Sequence, residues 1–289
     1  MQGETSSLRE LFLYGEELLT SAGIEDAGTD AHMLLEYAAH TDRSGYYLHM
    51  QEPAGKQTAE RYRKLLLRRA EREPVQYITG EAYFYGNMFY VSPDVLIPRQ
   101  DTEILVSEAE KRLHEGMELL DLCTGSGCVL LSLLSRKAVR GTGSDLSPAA
   151  LAVAEKNRKR MGLQAEWIVS DLFARIRGTF DMIVGNPPYI ASGVMRELQP
   201  EVVGHEPAAA LDGGEDGLDL LRRIIAEAPE YLKDNGWLLL EIGYDQGDAV
   251  KKLFQKQGFK DIQIIRDLEH RERVAVGRRI AGCRSRLKN

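Results

Sequence analysis

The sequence predicts an α/β fold with an open, mostly parallel sheet, preceded by a small helical bundle. Three observations support this prediction. An apolar run at 118–122 enters a Thr-Gly-Ser-Gly turn at 124–127 and continues as a helical pattern. A second apolar run, 180–184, ends in Gly-Asn-Pro-Pro-Tyr at 185–189. Helical and strand-like patterns then alternate from 218 to 276, which is typical of α/β proteins.

Length and composition suit two domains of a cytoplasmic protein. The 289 residues are 43% hydrophobic and 28% charged, enough to bury a sizeable core. No apolar run approaches the ~20 residues that span a bilayer, and the N-terminus lacks the features of a signal peptide. The three cysteines, Cys123, Cys128 and Cys283, match neither a disulfide framework nor a zinc pattern, so no metal is expected.

The net charge of −7 disfavours nonspecific binding to a polyanion. Two basic stretches, 61–72 and 278–286, are interpreted as a solvated helix surface and a charged terminus. We therefore expect neither a direct nucleic-acid substrate nor a membrane partner.

Residues 1–74 predict a helical recognition domain without a cluster of nucleophiles or metal ligands. Apolar residues recur at helical spacing near 8–19, 30–40, 46–48 and 58–73. Residues 74–80 are expected to break the helix. The aromatic runs 82–85 and 88–91 flank Gly86-Asn87 and predict a β-hairpin within a linker, 75–94, with aromatic packing between the domains.

The remaining residues, 95–289, form the predicted sheet domain. Asp101 or Thr102 is expected to cap a helix over 104–113. Arg99 precedes that helix on an exposed turn. Two roles are open for it: contact with a cofactor or substrate, or a simple salt bridge. The connection from 195 to 217 is long and is placed to cover a site at the sheet edge. His205 within it is weak evidence for a general base.

The segment Asn186–Tyr189 suits recognition of a planar amino group. It follows the predicted strand directly, at the carboxyl edge of the sheet where ligands bind in open α/β folds. Pro187 and Pro188 restrict the backbone and donate no hydrogen bonds, which leaves nearby carbonyls free to accept. The amide oxygen of Asn186 is a further acceptor, and Tyr189 offers an aromatic face. An ordinary turn is the alternative interpretation.

The glycine-rich turn and two acidic residues indicate a nucleoside site. Strand, glycine turn and helix form an arrangement that lets the backbone approach a ligand closely. Asp145 ends the next strand and can bind ribose hydroxyls, whereas Ser147 is the better cap of the following helix. Asp171 follows a third strand and can accept from an adenine amino group. The turn lacks the third glycine of the dinucleotide motif and the lysine of a triphosphate loop.

This order of motifs resembles the Rossmann-like class I S-adenosylmethionine-dependent methyltransferases that modify exocyclic or amide nitrogen. Five segments extend the resemblance to the HemK/PrmC family of protein-(glutamine-N5) methyltransferases over essentially the whole chain. They are Glu73–Gly80, Leu96–Glu103, Asp121–Gly127, Asn186–Tyr189 and Arg271–Val274. The resemblance implies a seven-stranded mixed sheet, S-adenosyl-L-methionine as cofactor, and the glutamine of the Gly-Gly-Gln loop of class 1 peptide chain release factors as substrate.

The resemblance also implies roles for individual residues. Those implied to bind the cofactor are Cys123, Thr124, Gly125, Ser126, Gly127, Asp145, Asp171, Leu172, Phe173 and Asn186. Asn186 and the Pro187 carbonyl would bind the glutamine amide, beside Pro188 and under the ring of Tyr189. Two positions depart from the family: Cys123 replaces a frequent glycine, and Leu172 replaces a tryptophan found in some members, with Phe173 a substitute for stacking on adenine.

Three other functions compete with this interpretation. A DNA or RNA amino-methyltransferase acting on adenine N6, cytosine N4 or guanine N2 needs the same amino-group site, once the base is flipped out. A nicotinamide enzyme and a regulatory module that binds the cofactor without catalysis are the others. The intact Asn186–Tyr189 segment argues against the regulatory module, because a sensor does not need an amide site.

Overall fold

The computed structural model describes residues 6–280, which fall into two compact units. The N-terminal unit comprises the chain up to residue 81 together with 199–205, and the sheet unit comprises 82–198 and the chain from 206 onward. Cys283 and the basic residues 284–286 lie outside the described residues. No helix within 6–280 has both the length and the apolar character needed to cross a membrane.

The N-terminal unit is a helical bundle, as the apolar spacing predicts. Leu11, Leu19, Leu34, Leu35 and Leu66 form part of its core. Its helices are α1 (Leu8–Ser21), α2 (Ala27–Ala39), α3 (Arg43–His49), α4 (Lys56–Ala70) and α5 (Val75–Thr79). The predicted break at 74–80 is wrong in one respect. The segment forms the short helix α5, with Pro74 as its N-cap, because proline is tolerated at a helix start, and with Gly80 as its C-cap at φ of 75°.

A buried arginine ties a distant segment into this unit. Arg69 of α4 is 7% exposed and pairs with Asp30 at 2.6 Å and with Glu201 at 3.0 Å. Arg72 pairs with the same Glu201 at 3.3 Å. Glu201 lies in α9 (Pro200–His205), far along the chain. The basic stretch 61–72 is therefore partly structural, and the interpretation as a wholly solvated surface is wrong at Arg69.

The β-hairpin forms as predicted, with its turn one residue earlier. Strands β1 (Glu81–Phe84) and β2 (Asn87–Tyr90) are joined through Tyr85 and Gly86, whose φ angles are 46° and 81°. Positive φ at both central residues is the geometry of a tight hairpin turn. Phe84 and Phe89 are buried in a core cluster of the sheet unit with Leu105. The sequence predicted aromatic packing between the domains, but these two rings pack within the sheet unit.

A seven-stranded mixed sheet forms the centre of the sheet unit, and the predicted fold class is confirmed. The strand order is β5-β4-β3-β6-β7-β9-β8, and β9 runs antiparallel to the other six strands. The strands are β3 (Glu118–Leu122), β4 (Arg140–Asp145), β5 (Glu166–Val169), β6 (Phe180–Gly185), β7 (Leu232–Glu241), β8 (Lys260–Arg266) and β9 (Glu272–Arg278).

The sheet is covered on both faces because its central strands are apolar on both sides. Ile183 and Leu240 join one core cluster, whereas Val184 and Leu239 join the other, as the alternation of side chains in a strand requires. The flanking helices are α6 (Thr102–Glu110), α7 (Cys128–Leu134), α8 (Pro148–Met161), α10 (Asp219–Tyr231) and α11 (Gly247–Lys256). The core cluster that contains residues of α10 and α11 lies on one face of the sheet, and the cluster that contains residues of α6 and α7 lies on the other.

The long connection after β6 is more ordered than the sequence suggested. It contains two 3₁₀ helices, Ser192–Glu197 and Ala208–Ala210, with α9 between them. Its last part packs closely on the backbone that follows β6. A Cβ at Gly213 would come within 2.8 Å of the Pro188 carbonyl oxygen, and one at Gly217 within 2.2 Å of the Tyr189 carbonyl oxygen. Glycine is therefore required at both positions.

Candidate active site

The glycine turn and the Asn186–Tyr189 segment meet because their strands are neighbours. β3 pairs in parallel with β6, and Leu122 is directly opposite Gly185. The chain leaves β3 toward β4 on one side and returns at β6 on the other, which is the topological switch point where α/β proteins bind ligands. A cavity of about 290 Å³ lies at this edge and is lined by both segments.

The cavity brings together most of the residues that the sequence singled out. These are Cys123, Thr124, Gly125, Ser126, Asp145, Asp171, Leu172, Asn186 and Pro188. Four others, Gly127, Phe173, Pro187 and Tyr189, do not line it. Its remaining walls come from residues within 94–102, 144–150 and 207–210, and from Asp121, Cys128, Val129, Ser170 and Leu220.

The glycines of the turn serve two different purposes. A Cβ on Gly125, where φ is 53°, would meet no protein atom within 4 Å, so the turn leaves space there for a ligand. A Cβ on Gly127 would instead meet Trp167 at 3.1 Å. The same indole lies 2.4 Å from a Cβ built on Gly143, in β4.

Cys123 has φ of 55°, a backbone conformation that favours glycine.

Asp145 is held by the backbone on both sides of the cavity. Its two carboxyl oxygens accept hydrogen bonds from Gly125 N and Ser147 N, both at 2.9 Å. Burial raises the pKa of Asp145, while these backbone N–H groups act in the opposite direction. The hydroxyl of Ser147 accepts from Ala150 N at 3.2 Å, which confirms Ser147 as the cap of α8.

The Asp171–Phe173 turn presents only its first two residues to the cavity. Asp171 is exposed and pairs with Arg223 at 2.9 Å, while Leu172 is buried with φ of 46°. Phe173 is 1% exposed and its ring stacks on Tyr231 with centroids 4.5 Å apart. Phe173 therefore does not replace the missing tryptophan, and Leu172 is the apolar residue placed to contact a ligand.

The Asn186–Tyr189 segment is fixed at both ends by side chains. The amide nitrogen of Asn186 donates to Thr102 Oγ1 at 3.2 Å, and the hydroxyl of Tyr189 donates to Glu241 at 3.0 Å. Gln246 donates to the carbonyl oxygen of Tyr189 at 2.9 Å. Thr102 is 2% exposed and lines the cavity. Asp101 is the N-cap residue of α6, which spans Thr102–Glu110 and not 104–113, but neither side chain makes a capping hydrogen bond, so that part of the prediction is wrong.

Glu241 was missed in the sequence, although a signal was present. It is the one charged residue in an otherwise apolar run, Trp237–Ile242, and a carboxylate in such a strand is unusual. It is 1% exposed, and burial raises its pKa to about 7, although hydrogen bonding with Thr102 and Tyr189 lowers it. Burial, together with the neighbouring Glu241, also raises the pKa of Tyr189, which stays protonated as a donor.

The long connection contributes to the cavity wall, as predicted, but His205 does not line the cavity. Pro207, Ala209 and Ala210 line it instead. Arg99 lines the cavity and pairs with Glu206, whose side chain is 1% exposed. Glu206 also accepts from Ile97 N at 3.3 Å. Of the two alternatives open for Arg99, the salt bridge is present, and contact with a cofactor or substrate stays a prediction.

The thiols near the cavity are poorly suited to nucleophilic chemistry. Burial raises the pKa of Cys123 and raises that of Cys128 to about 12, so both remain protonated at neutral pH. Both are free cysteines. Within residues 6–280, no group of three or more acidic, histidine or cysteine side chains is arranged to hold a metal.

The fold and the cavity define a class I methyltransferase that depends on S-adenosylmethionine. Residues 99–213 match the family described as methyltransferase small domain. Two solved structures share the fold, each with a TM-score of 0.53. A methyltransferase from Pyrococcus furiosus, 16% identical, covers 66% of this chain and 88% of its own. A Thermus thermophilus 16S rRNA N2 methyltransferase in complex with AdoMet and guanosine, 19% identical, covers 69% of this chain and 49% of its own.

The N-terminal unit and the full-length relatives identify the family within this class. Residues 10–80 match the PrmC N-terminal domain. The release factor glutamine methyltransferase of Geobacter sulfurreducens is 40% identical over 277 residues, 95% of this chain and 98% of the relative. That of Cereibacter sphaeroides is 43% identical over 264 residues, 90% and 94% of the two chains. This chain belongs to the release factor glutamine methyltransferase family.

Proposed function

We propose that this protein transfers a methyl group from S-adenosyl-L-methionine to the side-chain amide nitrogen, N5, of the glutamine in the Gly-Gly-Gln loop of class 1 release factors. The observation that carries this proposal is the pairing of Leu122 with Gly185, which brings the glycine turn and Asn186 to one cavity. The similarity of the whole chain to release factor glutamine methyltransferases supports the choice of substrate.

The residues that line the cavity suit the chemistry of the cofactor. The empty space beside Gly125 lets a ligand approach the turn, and the Asp145 carboxylate between two loops suits ribose hydroxyls. We assign Cys123, Thr124, Ser126 and Gly125 to the cradle, with Leu172 against adenine and Asp171 near its amino group. When bound, S-adenosylmethionine supplies an electrophilic methyl group on a positive sulfonium.

We assign the glutamine amide to Asn186 and the carbonyl of Pro187. An amide nitrogen is a weak nucleophile because its lone pair is delocalised into the carbonyl. Two acceptors for its N–H hydrogens favour electron density on nitrogen and fix its direction, so orientation and electrostatics provide the main contributions. The proton leaves after the attack, when nitrogen has become acidic. Acceptance by the Pro187 carbonyl and stacking of Tyr189 on the amide remain predictions, since neither residue lines the cavity.

The helical N-terminal unit is proposed to recognise the release factor. It matches a family-specific domain, and we assign no part of the chemistry to it. Because release factors act on ribosomes, we further propose a cytoplasmic site of action. Nucleic acid and membranes are not proposed as partners.

The direct test is transfer of labelled methyl from S-adenosylmethionine to a purified class 1 release factor. Label that is present on the wild-type factor and absent from a Gly-Gly-Ala variant supports glutamine methylation. Unmethylated DNA and ribosomal RNA serve as competing substrates in the same assay. Label on nucleic acid alone overturns the proposed substrate and favours the amino-methyltransferase alternative.

A further inference from the structure

One buried side chain of α8 connects the glycine turn with the β-hairpin. Asn157 is 1% exposed, although its amide is polar. The amide oxygen accepts from Tyr90 N at 2.7 Å, and the amide nitrogen donates to the carbonyl oxygens of Tyr90 and Ser126, both at 2.9 Å. The orientation of the amide is therefore fixed, because only its nitrogen can donate to the two carbonyl oxygens.

The contact with Ser126 holds the glycine turn. Ser126 lines the cavity and lies between Gly125 and Gly127, whose φ angles are 53° and 78°. Its carbonyl comes before the first hydrogen bond of α7, which runs from Leu131 N to the carbonyl oxygen of Gly127 at 2.9 Å. A buried carbonyl in this position needs a partner from outside the helix, and Asn157 provides it.

The contact with Tyr90 holds the start of a second wall of the cavity. Tyr90 is the last residue of β2, and Asn157 both accepts from it and donates to it, as a residue of a paired strand does. The ammonium group of Lys156 lies 3.1 Å from the centre of the Tyr90 ring. A short distance along the chain, Asp94 begins the stretch 94–102 that contributes to the cavity wall. Asn157 therefore fixes the point from which this wall departs.

The arrangement joins two segments that are far apart in sequence. Tyr90 is 67 residues from Asn157, and Ser126 is 31 residues from it. Because the amide is short and planar, its three hydrogen bonds set the separation of the two backbones. A cavity that is already held at the right width binds a ligand without paying to order its walls, and the open space beside Gly125 depends on that width.

We propose that Asn157 is a positioning residue for the cofactor: it holds the glycine turn and the wall that follows β2 at the separation that S-adenosylmethionine requires. The inference rests on the assignment of the glycine turn to the cofactor under the proposed function, and not on the choice of methyl acceptor. It predicts that Asn157 affects the Kd of S-adenosylmethionine more than kcat at saturating cofactor.

The test compares two variants of Asn157 with Glu103→Ala as the matched control. Glu103 of α6 also ties the hairpin to a helix, since it accepts from Tyr85 N at 2.8 Å, but it does not line the cavity. Asn157→Asp keeps the shape and the acceptor for Tyr90 N, but it replaces the donor to the Ser126 carbonyl by an oxygen. Asn157→Ala removes all three hydrogen bonds.

The expected result is a change in cofactor binding that the control does not share. For both Asn157 variants, the Kd of S-adenosylmethionine, measured by calorimetric titration, should rise about 5- to 50-fold. Their kcat at saturating cofactor should fall less than about threefold. For Glu103→Ala, the Kd should stay within about twofold whatever happens to Tm.

Hydrogen exchange provides a local readout that does not depend on activity. The N–H group of Gly125 donates to Asp145 at 2.9 Å and is protected while the turn keeps its shape. In the protein without cofactor, Asn157→Asp should speed exchange in a peptide covering 121–128, and Glu103→Ala should leave that peptide unchanged. A general loss of stability would speed exchange in the central strands as well.

Gly125→Ala separates this inference from the proposed function. Its methyl group would point into the space beside the turn, where no protein atom lies within 4 Å, and should raise the Kd at least about tenfold. If Gly125→Ala leaves the Kd unchanged, the turn does not hold the cofactor and the proposed site is wrong. If Gly125→Ala weakens binding, an unchanged Kd in Asn157→Asp overturns the positioning role alone. Equal weakening in Glu103→Ala, or faster exchange throughout the central strands of Asn157→Asp, also overturns it.

Discussion

Replacement of Asp145 by asparagine should weaken cofactor binding much more than it slows methyl transfer. In the structure, the two carboxyl oxygens accept from Gly125 N and Ser147 N at 2.9 Å each. Asparagine has nearly the same shape but only one acceptor oxygen, so one of these N–H groups loses its partner. The negative charge proposed to receive the ribose hydroxyls is also lost.

The size of the effect follows from the hydrogen bonds involved. A hydrogen bond to a charged group contributes about 1.5–3 kcal/mol. Loss of one such bond to the ribose corresponds to a rise in the Kd of S-adenosylmethionine of roughly 10- to 150-fold, at about 1.4 kcal/mol per factor of ten. At saturating cofactor, kcat should fall less than about fivefold, because the variant leaves Asn186 and the backbone of its segment in place.

Calorimetric titration with S-adenosylmethionine measures the Kd, and initial rates of label transfer at saturating cofactor measure kcat. Asp212→Asn is the matched control. Asp212 accepts from Ser192 Oγ at 2.7 Å and from Gly214 N at 3.0 Å, but lies outside the cavity. An unchanged Kd in Asp145→Asn, or equal weakening in the control, would refute the assignment.

Asn186→Ala should abolish detectable turnover while the calorimetric Kd of the cofactor changes only a few-fold; near wild-type rates would exclude its role. Burial raises the pKa of Asp121 from 3.8 to about 7, so its contribution to the free energy of unfolding is greatest at low pH. As pH rises from about 4 to about 7, the free energy of unfolding of the wild type should fall by roughly 4 kcal/mol more than that of Asp121→Asn, measured by denaturant titration. Equal pH dependence of the two proteins would contradict this prediction. Arg69→Ala leaves Asp30 buried without its partner and should lower the free energy of unfolding by about 3–5 kcal/mol, measured by denaturant unfolding. A decrease below ~1 kcal/mol would show that the pair is not needed for stability.

The sequence predicted the parts of the site that lie close together along the chain. The turn at 124–127 and the segment 186–189 each carry their chemistry within a few residues, and parallel strands bring their carboxyl ends to one edge. Side-chain direction was not predictable in the same way. Tyr189 was expected to face the ligand, but its hydroxyl donates to Glu241, 52 residues away in sequence. No local pattern encodes such a partner.

Short elements were the least predictable parts of the fold. The connection after β6 contains helices of six, six and three residues, which are too short to be stable by propensity alone. They form because tertiary contacts support them, such as the pairing of Glu201 with Arg69. Thr102 was misassigned for a related reason. Its sequence position suits a helix cap, yet its hydroxyl accepts a hydrogen bond from Asn186, 84 residues away.

The packing of Trp167 between Gly127 and Gly143 provides the protein with an intrinsic optical probe. The chain contains only two tryptophans, and the other, Trp237, lies near the guanidinium groups of Arg112 and Arg278. The Trp167 indole contacts the glycine turn and donates to Glu155 at 3.0 Å. In a Trp237→Phe background, its emission reports the surroundings of the cofactor turn without an attached dye, so occupancy of the turn can be followed on the timescale of mixing.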